Sequence, residues 1–337
     1  MKKIVFICIF LVCGFSYLNA LTTTWTGSAS GDWHNPDNWD TGVIPDASTD
    51  VYVPNTGYYS PSVTSDASCN SLINQSGFTV SNGASLNIQN DYASNSDAAL
   101  DVYGGSLNVG GDMGVYGTVN IEGDGTNDAS VSCTNFNTSS ASSTTIDDDS
   151  ELSCTHLIGN GAVTESQGGT LECDDFAIAN GGGFNQSGGS FLSRNGGTFD
   201  SGSTLNVSGN GSFQYQGDFN CNGVVTVDGG TLWAGGSSDP NFIGGVMSQV
   251  TVNSGYFSIG DFSTSGIVNI QGGGTYWSSA VNDGTLNLTG GEINCNNFHG
   301  SGTFDQAGGS VYVTETFTNE STGIFRHGLI GITGFDF

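Results

Sequence analysis

Hydrolysis of a glycosidic bond needs two carboxylates flanking it, and this sequence supplies acids freely. It carries 32 Asp and Glu against 4 Lys and Arg. Asp174 and Asp175 are adjacent, but in so acidic a chain adjacency carries little weight, and both read as solvated strand or corner acids. Lyase chemistry on uronic acids needs a base, usually Arg or Lys, and cations to neutralise the substrate carboxylate. Beyond residue 20 only Arg194 and Arg326 are cationic, and the negative field repels an anionic glycan. His34, His156, His299 and His327 fall in no Ser/His/Asp or metal-like spacing, and His156 and His299 read as corner residues in a similar slot. No catalytic residue is assigned.

Two acidic stretches invite calcium, which takes hard oxygen ligands. Asp147, Asp148 and Asp149 with Glu151 form the densest run, and calcium there would relieve carboxylate repulsion. The run reads first as a solvated acidic turn with no cofactor, and calcium is the alternative. Asp218-x-Asn220-x-Asn222-Gly223 opens like an EF-hand loop, but its twelfth position is Gly229 instead of a bidentate acid, so that reading is rejected. Trp233, Trp277 and Tyr312 are the aromatic candidates for glycan binding. They fall on one expected outward column, two coils or about 10 Å apart at strand spacing, a step that would let flat rings stack on alternate sugars of an uncharged chain.

Composition narrows the partners. Ordinary phosphate recognition needs a Lys/Arg surface, and the formal net charge is −28, so nucleic acid is ruled out. Neutral polysaccharide or cell-surface components remain. Met1-Lys2-Lys3, the apolar run from residue 4 to 15 and Leu18-Asn19-Ala20 read as a secretory signal peptide cleaved after Ala20. No other stretch is long enough for a spanning helix. The mature chain is expected to be secreted, extracellular or on the outer surface of a Gram-negative bacterium, without membrane insertion.

The elements that would position these residues come from a repeat. Each unit reads apolar-x-apolar, a Gly-rich turn, apolar-x-apolar, a few polar residues, then an aromatic or aliphatic. Val250, Val268, Leu286 and Phe304 are 18 residues apart, and Gly pairs recur at Gly273-Gly274, Gly290-Gly291 and Gly308-Gly309. Period-two alternation in short runs means strands. The expectation is an all-β, right-handed parallel β-helix (β-solenoid) of about thirteen coils, roughly 18–24 residues each, with handedness from the crossover rule. One outward column runs from Ser68 through Asn87, Asn108, Ser132, Ser153, Glu172, Leu192, Gln214, Trp233, Ser258, Trp277 and Asn294 to Tyr312. The next position inward holds Cys69, Cys133, Cys154, Cys173 and Cys295, interchangeable with Val and Ile, so these cysteines read as small buried hydrophobes. Free thiols are favoured over one inter-coil disulfide, because parallel Cβ vectors do not converge.

The domain plan is residues 1–20 signal peptide, 21–60 Trp-rich cap, 61–320 solenoid and 321–337 tail, either folded over the last coil or cut from a longer protein. Residues 21–60 hold Trp25-Thr26-Gly27, Gly31-Asp32-Trp33, Asn38-Trp39, Ile44-Pro45 and Val51-Tyr52-Val53-Pro54. This opening resembles that of large secreted surface proteins of the Bacteroidetes and Planctomycetes type, which continue into a pectate-lyase-like β-helix. The resemblance implies an extracellular or surface-attached solenoid and carries no catalytic residues. No sorting domain, translocation barrel or wall anchor is legible after residue 320, which leaves the route of retention open. The expected function is a non-enzymatic structural or adhesive surface protein. The alternatives are a carbohydrate-active β-helix enzyme, hydrolase or lyase, and a calcium-dependent glycan-binding module.

Overall fold

A computed structural model describes residues 21–327 apart from 56, 57, 82, 162, 236–239 and 321. The proposed signal peptide and the last ten residues of the tail lie outside the described residues. The described chain is nearly all strand, with one short 3-10 turn at Pro36–Asn38. Every strand-to-strand pairing is parallel and joins one coil to the next, giving a β-solenoid of about thirteen turns.

Each coil has three short strands, and these stack into three faces. In one coil the first face is Ser106–Val109, the second Asp112–Val115 and the third Thr118–Glu122. Alternate residues point inward, as in Leu107 and Val109, Met113 and Val115, Val119 and Ile121, all buried. The predicted 18-residue step holds strand for strand: Val250 pairs with Val268, Val268 with Leu286, and Leu286 with Phe304.

The glycine corners follow from how closely coils stack. Gly273, Gly291 and Gly309 have φ of 72, 74 and 69°, which side chains disfavour. A Cβ on Gly291 would lie 2.7 Å from the Gly273 carbonyl oxygen of the preceding coil.

Outward positions form amide and hydroxyl ladders along the axis. Asn108 donates to Asn87 at 3.1 Å and Ser132 to Asn108 at 2.9 Å on the first face. On the third face Asn120 donates to Asp101 at 2.7 Å and Asn287 to Asn269 at 2.9 Å. These side chains satisfy one another at the strand repeat, the cross-strand pairing that stabilises sheets.

The interior changes along the axis. The early coils are filled mostly by Val, Leu and Ile. From Phe176 onward rings join them, chiefly on the first and second faces, while the third stays mostly Val, Leu and Ile: Phe191 stacks on Phe213 at 4.2 Å, and Phe219 meets Phe242 edge-on at 5.2 Å. Space for this comes from a glycine. Phe176 pairs with Gly197 and Gly197 with Phe219, so the middle coil contributes no side chain there. A Cβ on Gly197 would lie 2.6 Å from the Phe176 ring. Phe176 and Phe219, two coils apart, meet across it at 5.6 Å.

All six cysteines among the described residues are free, as the parallel side chains of Cys133, Cys154 and Cys173 on paired strands imply. Burial pushes the Cys69, Cys133 and Cys295 thiols up to about 12 and Cys221 to about 11. Cys154 and Cys173 are pushed up by burial and then by their neighbouring cysteines. These are packing residues, inert at neutral pH.

Residues 21–60 depart from the expectation that they stand outside the repeat. Leu21–Thr24 pairs with Thr49–Val53, which pairs with Ser71–Asn74, so the second face begins inside this segment. Period two is visible in Thr49–Val53, with Val51 and Val53 buried. The loop between these strands carries the three tryptophans inward. Trp25 meets Trp39 edge-on at 4.9 Å, Trp39 meets Trp33 at 4.7 Å, and Trp33 meets Phe78 at 5.7 Å. Asn38 is fully buried and holds the loop: it accepts from the Ala29 and Ser30 amides at 2.9 Å and donates to the Asp32 carbonyl at 2.8 Å. The Asn-Trp pair is thus one polar clamp beside one apolar plug.

Candidate functional site

The aromatic column is the best-formed candidate, and one of its three predicted members moves. Strand register gives Gln214 opposite Trp233, Trp233 opposite Ser258, Ser258 opposite Tyr276, Tyr276 opposite Asn294, and Asn294 opposite Tyr312. Tyr276, not Trp277, therefore holds the outward position. Trp277 is 3% exposed, pairs with Ile259 and Cys295 in the interior column, and stacks on Phe262 at 4.5 Å with 9° between planes. The slip is one residue, which in a strand inverts every side chain. It arose at Gly272-Gly273-Gly274, where three glycines allow two alignments. The 18-residue step would have settled it, because 276, 294 and 312 are evenly spaced.

Trp233 and Tyr312 lie on the outward column as expected. Trp233 is half-buried, its indole Nε1 donating to the Ser212 hydroxyl at 3.3 Å. Tyr276 and Tyr312 are 44% and 43% exposed. Tyr256, on the neighbouring outward column and missed by the sequence reading, stacks against Tyr276 at 6.3 Å. Between Tyr276 and Tyr312 lies an open pocket of about 300 Å³, lined also by Ser258, Asn294, Asn296, Thr314 and the edges of Trp277 and Cys295. Asn294 donates to the Glu292 carboxylate at 2.5 Å, and Thr314 donates to Asn296 at 3.0 Å. These are rings, amides and hydroxyls held on flat strands, with no cation among them.

The acidic run takes a different form. Asp147, Asp148 and Asp149 make the corner between Ser143–Ile146 and Ser150–Asn160, with Asp149 at φ 56°. Asp147 spends its carboxylate on the Asp148 amide at 2.8 Å, and Ser150 donates to the Asp147 carbonyl. Only Asp149 and Glu151 of the four reach a common pocket, of about 400 Å³, where they join Asp128 and Glu172. No group of three or more His, Cys, Asp or Glu is arranged to hold a metal among the described residues. The Asp218–Asn222 stretch is no calcium loop: Phe219–Cys221 is a second-face strand, and Asp218 accepts from the Asn241 amide side chain at 2.9 Å.

Asp174 and Asp175 are both engaged along the axis. Arg194 holds Glu172 at 2.6 Å and lies 3.8 Å from Asp174, and His156 holds Asp175 at 2.7 Å. His299 sits two residues from the slot of His156. His156 pairs with Asp175, whereas His299 lies two residues further along its strand, beyond Phe298, and holds Glu320 at 2.8 Å. Arg326 lies 3.6 Å from Asp305. All these pairs are at least a third exposed, so each adds little to stability.

A family model for a domain of unknown function (DUF8693) matches residues 24–122, less than a third of the chain. No curated protein and no solved structure matches the chain. The matched stretch spans the tryptophan loop and the early aliphatic coils. The aromatic column lies entirely outside it.

Proposed function

We propose that this chain is an extracellular or cell-surface scaffold with an adhesive role and no turnover of its own. The supporting observation is the first face itself: a continuous outward column on paired strands from Ser68 to Tyr312, mostly Ser, Asn, Trp and Tyr with Glu172, Leu192 and Gln214 in its middle. Such a surface is long, rigid and presented whole, which suits contact with an extended partner. Its early amides and hydroxyls pair along the axis, Asn108 with Asn87 and Ser132 with Asn108. The candidate acids Asp174 and Asp175 are tied to Arg194 and His156, which favours a structural use for them. The leader-like residues 1–20 and the resemblance of Trp25 to Pro54 to secreted surface proteins add the compartment.

Protease shaving of intact cells tests this reading. The chain should be released or degraded from the outside while a cytoplasmic marker stays intact, and full protection until lysis would sink it.

A further inference from the structure

We infer that the first face between Trp233 and Tyr312 is a binding track for an extended, neutral, β-linked glycan, with Tyr276 as its middle platform. This rests on the adhesive reading and gives it a site and a ligand class.

The step comes from the register. Trp233, Tyr276 and Tyr312 occupy one outward column, separated by Ser258 and Asn294 on the intervening coils. Two strand spacings place successive rings about 10 Å apart and the outer pair about 20 Å apart. An extended chain of equatorially linked sugars presents the same apolar C–H face at every second residue. Rings on alternate coils would take those faces, and the Ser and Asn between would reach the hydroxyls of the intervening sugars. Aromatic side chains with a polar tip suit a surface that is apolar on one side and wet on the other.

Packing alone does not account for the alternation. Cross-strand packing accounts for Tyr256 and Tyr276, whose rings stack on adjacent coils, whereas Tyr276 and Tyr312 have Asn294 between them. The pocket of about 300 Å³ opens in that interval, with Asn296 and Thr314 at its side. Its floor is rigid, because Trp277 lies flat on Phe262 at 4.5 Å. Tyr276 is steadied by Tyr256, and Trp233 by Ser212.

Charge sets the ligand class. No Lys or Arg occurs between Arg194 and Arg326, and both arginines are engaged with acids elsewhere. Glu292 and Glu315 flank the track, each accepting from an asparagine beside it. A uronic-acid or sulfated chain would meet repulsion without a counter-charge. A neutral chain would not.

The experiment is affinity gel electrophoresis of purified residues 21–337 in gels containing hydroxyethylcellulose, glucomannan, xyloglucan or polygalacturonate, followed by titration of the matching oligosaccharides. At least one neutral β-linked polymer should retard the protein, and polygalacturonate should not. Tyr276→Ala and Tyr312→Ala should each weaken binding at least tenfold, and the double variant should abolish retardation. Tyr276→Phe, which keeps the ring, should bind within a few-fold of the native chain. Tyr103→Ala, exposed on the third face, should change nothing. Unaltered melting and circular dichroism would show that the Ala variants fold. Retardation that survives the double variant, retardation by polygalacturonate, or none by any neutral polymer would overturn the track. Cell-surface shaving is read separately, so a failed track and a failed adhesive role give different results.

Discussion

The early coils, up to Glu122, and the coils from Phe176 to Phe317 share one backbone plan and differ in what fills and covers it. The early interior is mainly Val, Leu and Ile, and the early first-face column is Ser68, Asn87 and Asn108. The later interior sets rings on its first and second faces against Val, Leu and Ile on most of its third, and from Trp233 its first-face column carries aromatics on alternate coils. The strands repeat at the same spacing in both, so the backbone does not dictate either content. Larger interior side chains need compensating small ones, and the later coils provide them at Gly197 and Ala280, each between two phenylalanines on the second face. The family match covers residues 24–122, in the early region, and the proposed track lies in the later one.

The largest effects should come from breaking the ring-filled interior. Phe219→Ala removes a fully buried ring that touches Phe176, Tyr215 and Phe242. It should cost about 3–5 kcal/mol. Val102→Ala in the aliphatic coils deletes far less buried surface and should cost less, about 1–3 kcal/mol. Gly197→Val puts a side chain where Phe176 and Phe219 meet and should cost about 1–3 kcal/mol by overpacking. Chemical denaturation followed by intrinsic fluorescence measures all three. Equal costs for Phe219→Ala and Val102→Ala would remove the distinction between the two interiors.

A smaller effect separates the regions through their thiols. With Cys69 and Cys295 pushed up to about 12, both should resist alkylation in the native state at pH 8. Unfolded thiols ionise near pH 8.5. The raised native values therefore contribute stability that is complete below about pH 8.5 and is lost as pH rises from there toward 12. The coil from Ser310 to Asn319 is more open, with Tyr312, Thr314, Glu315 and Thr316 exposed, and exposed segments open locally at lower cost. Mass-spectrometric alkylation in mild denaturant should modify Cys295 before Cys69. The reverse order would place the weaker end at the tryptophan loop.

Much of this was legible in the sequence, because a solenoid's structure is local and periodic. Apolar-x-apolar runs between glycine pairs could only be short strands. The placing of cysteines in a Val/Ile column gave their burial and their free state. What the sequence hides depends on exact coil length or on contacts across coils. Trp277 reads as outward when three consecutive glycines permit two alignments, and only the 18-residue step separates them. Leu21–Thr24 and Thr49–Val53 joined the second face although the loop between them has no repeat. The use of Gly197 as space for Phe176 and Phe219 has no local signal, since a glycine in a strand looks the same whether it marks a turn or makes room. Glu172 and Asp128 entered the acidic pocket beside Asp149 and Glu151 through stacking that only the full register reveals.

A binding scaffold without turnover is tested most directly by product release by purified residues 21–337 from neutral and acidic polysaccharides with calcium present. No new reducing or unsaturated ends should appear on any polymer, including those that retard the protein. New ends that disappear in Asp174→Asn or Asp175→Asn would contradict it and make the His156–Asp175 and Arg194–Asp174 region an active site.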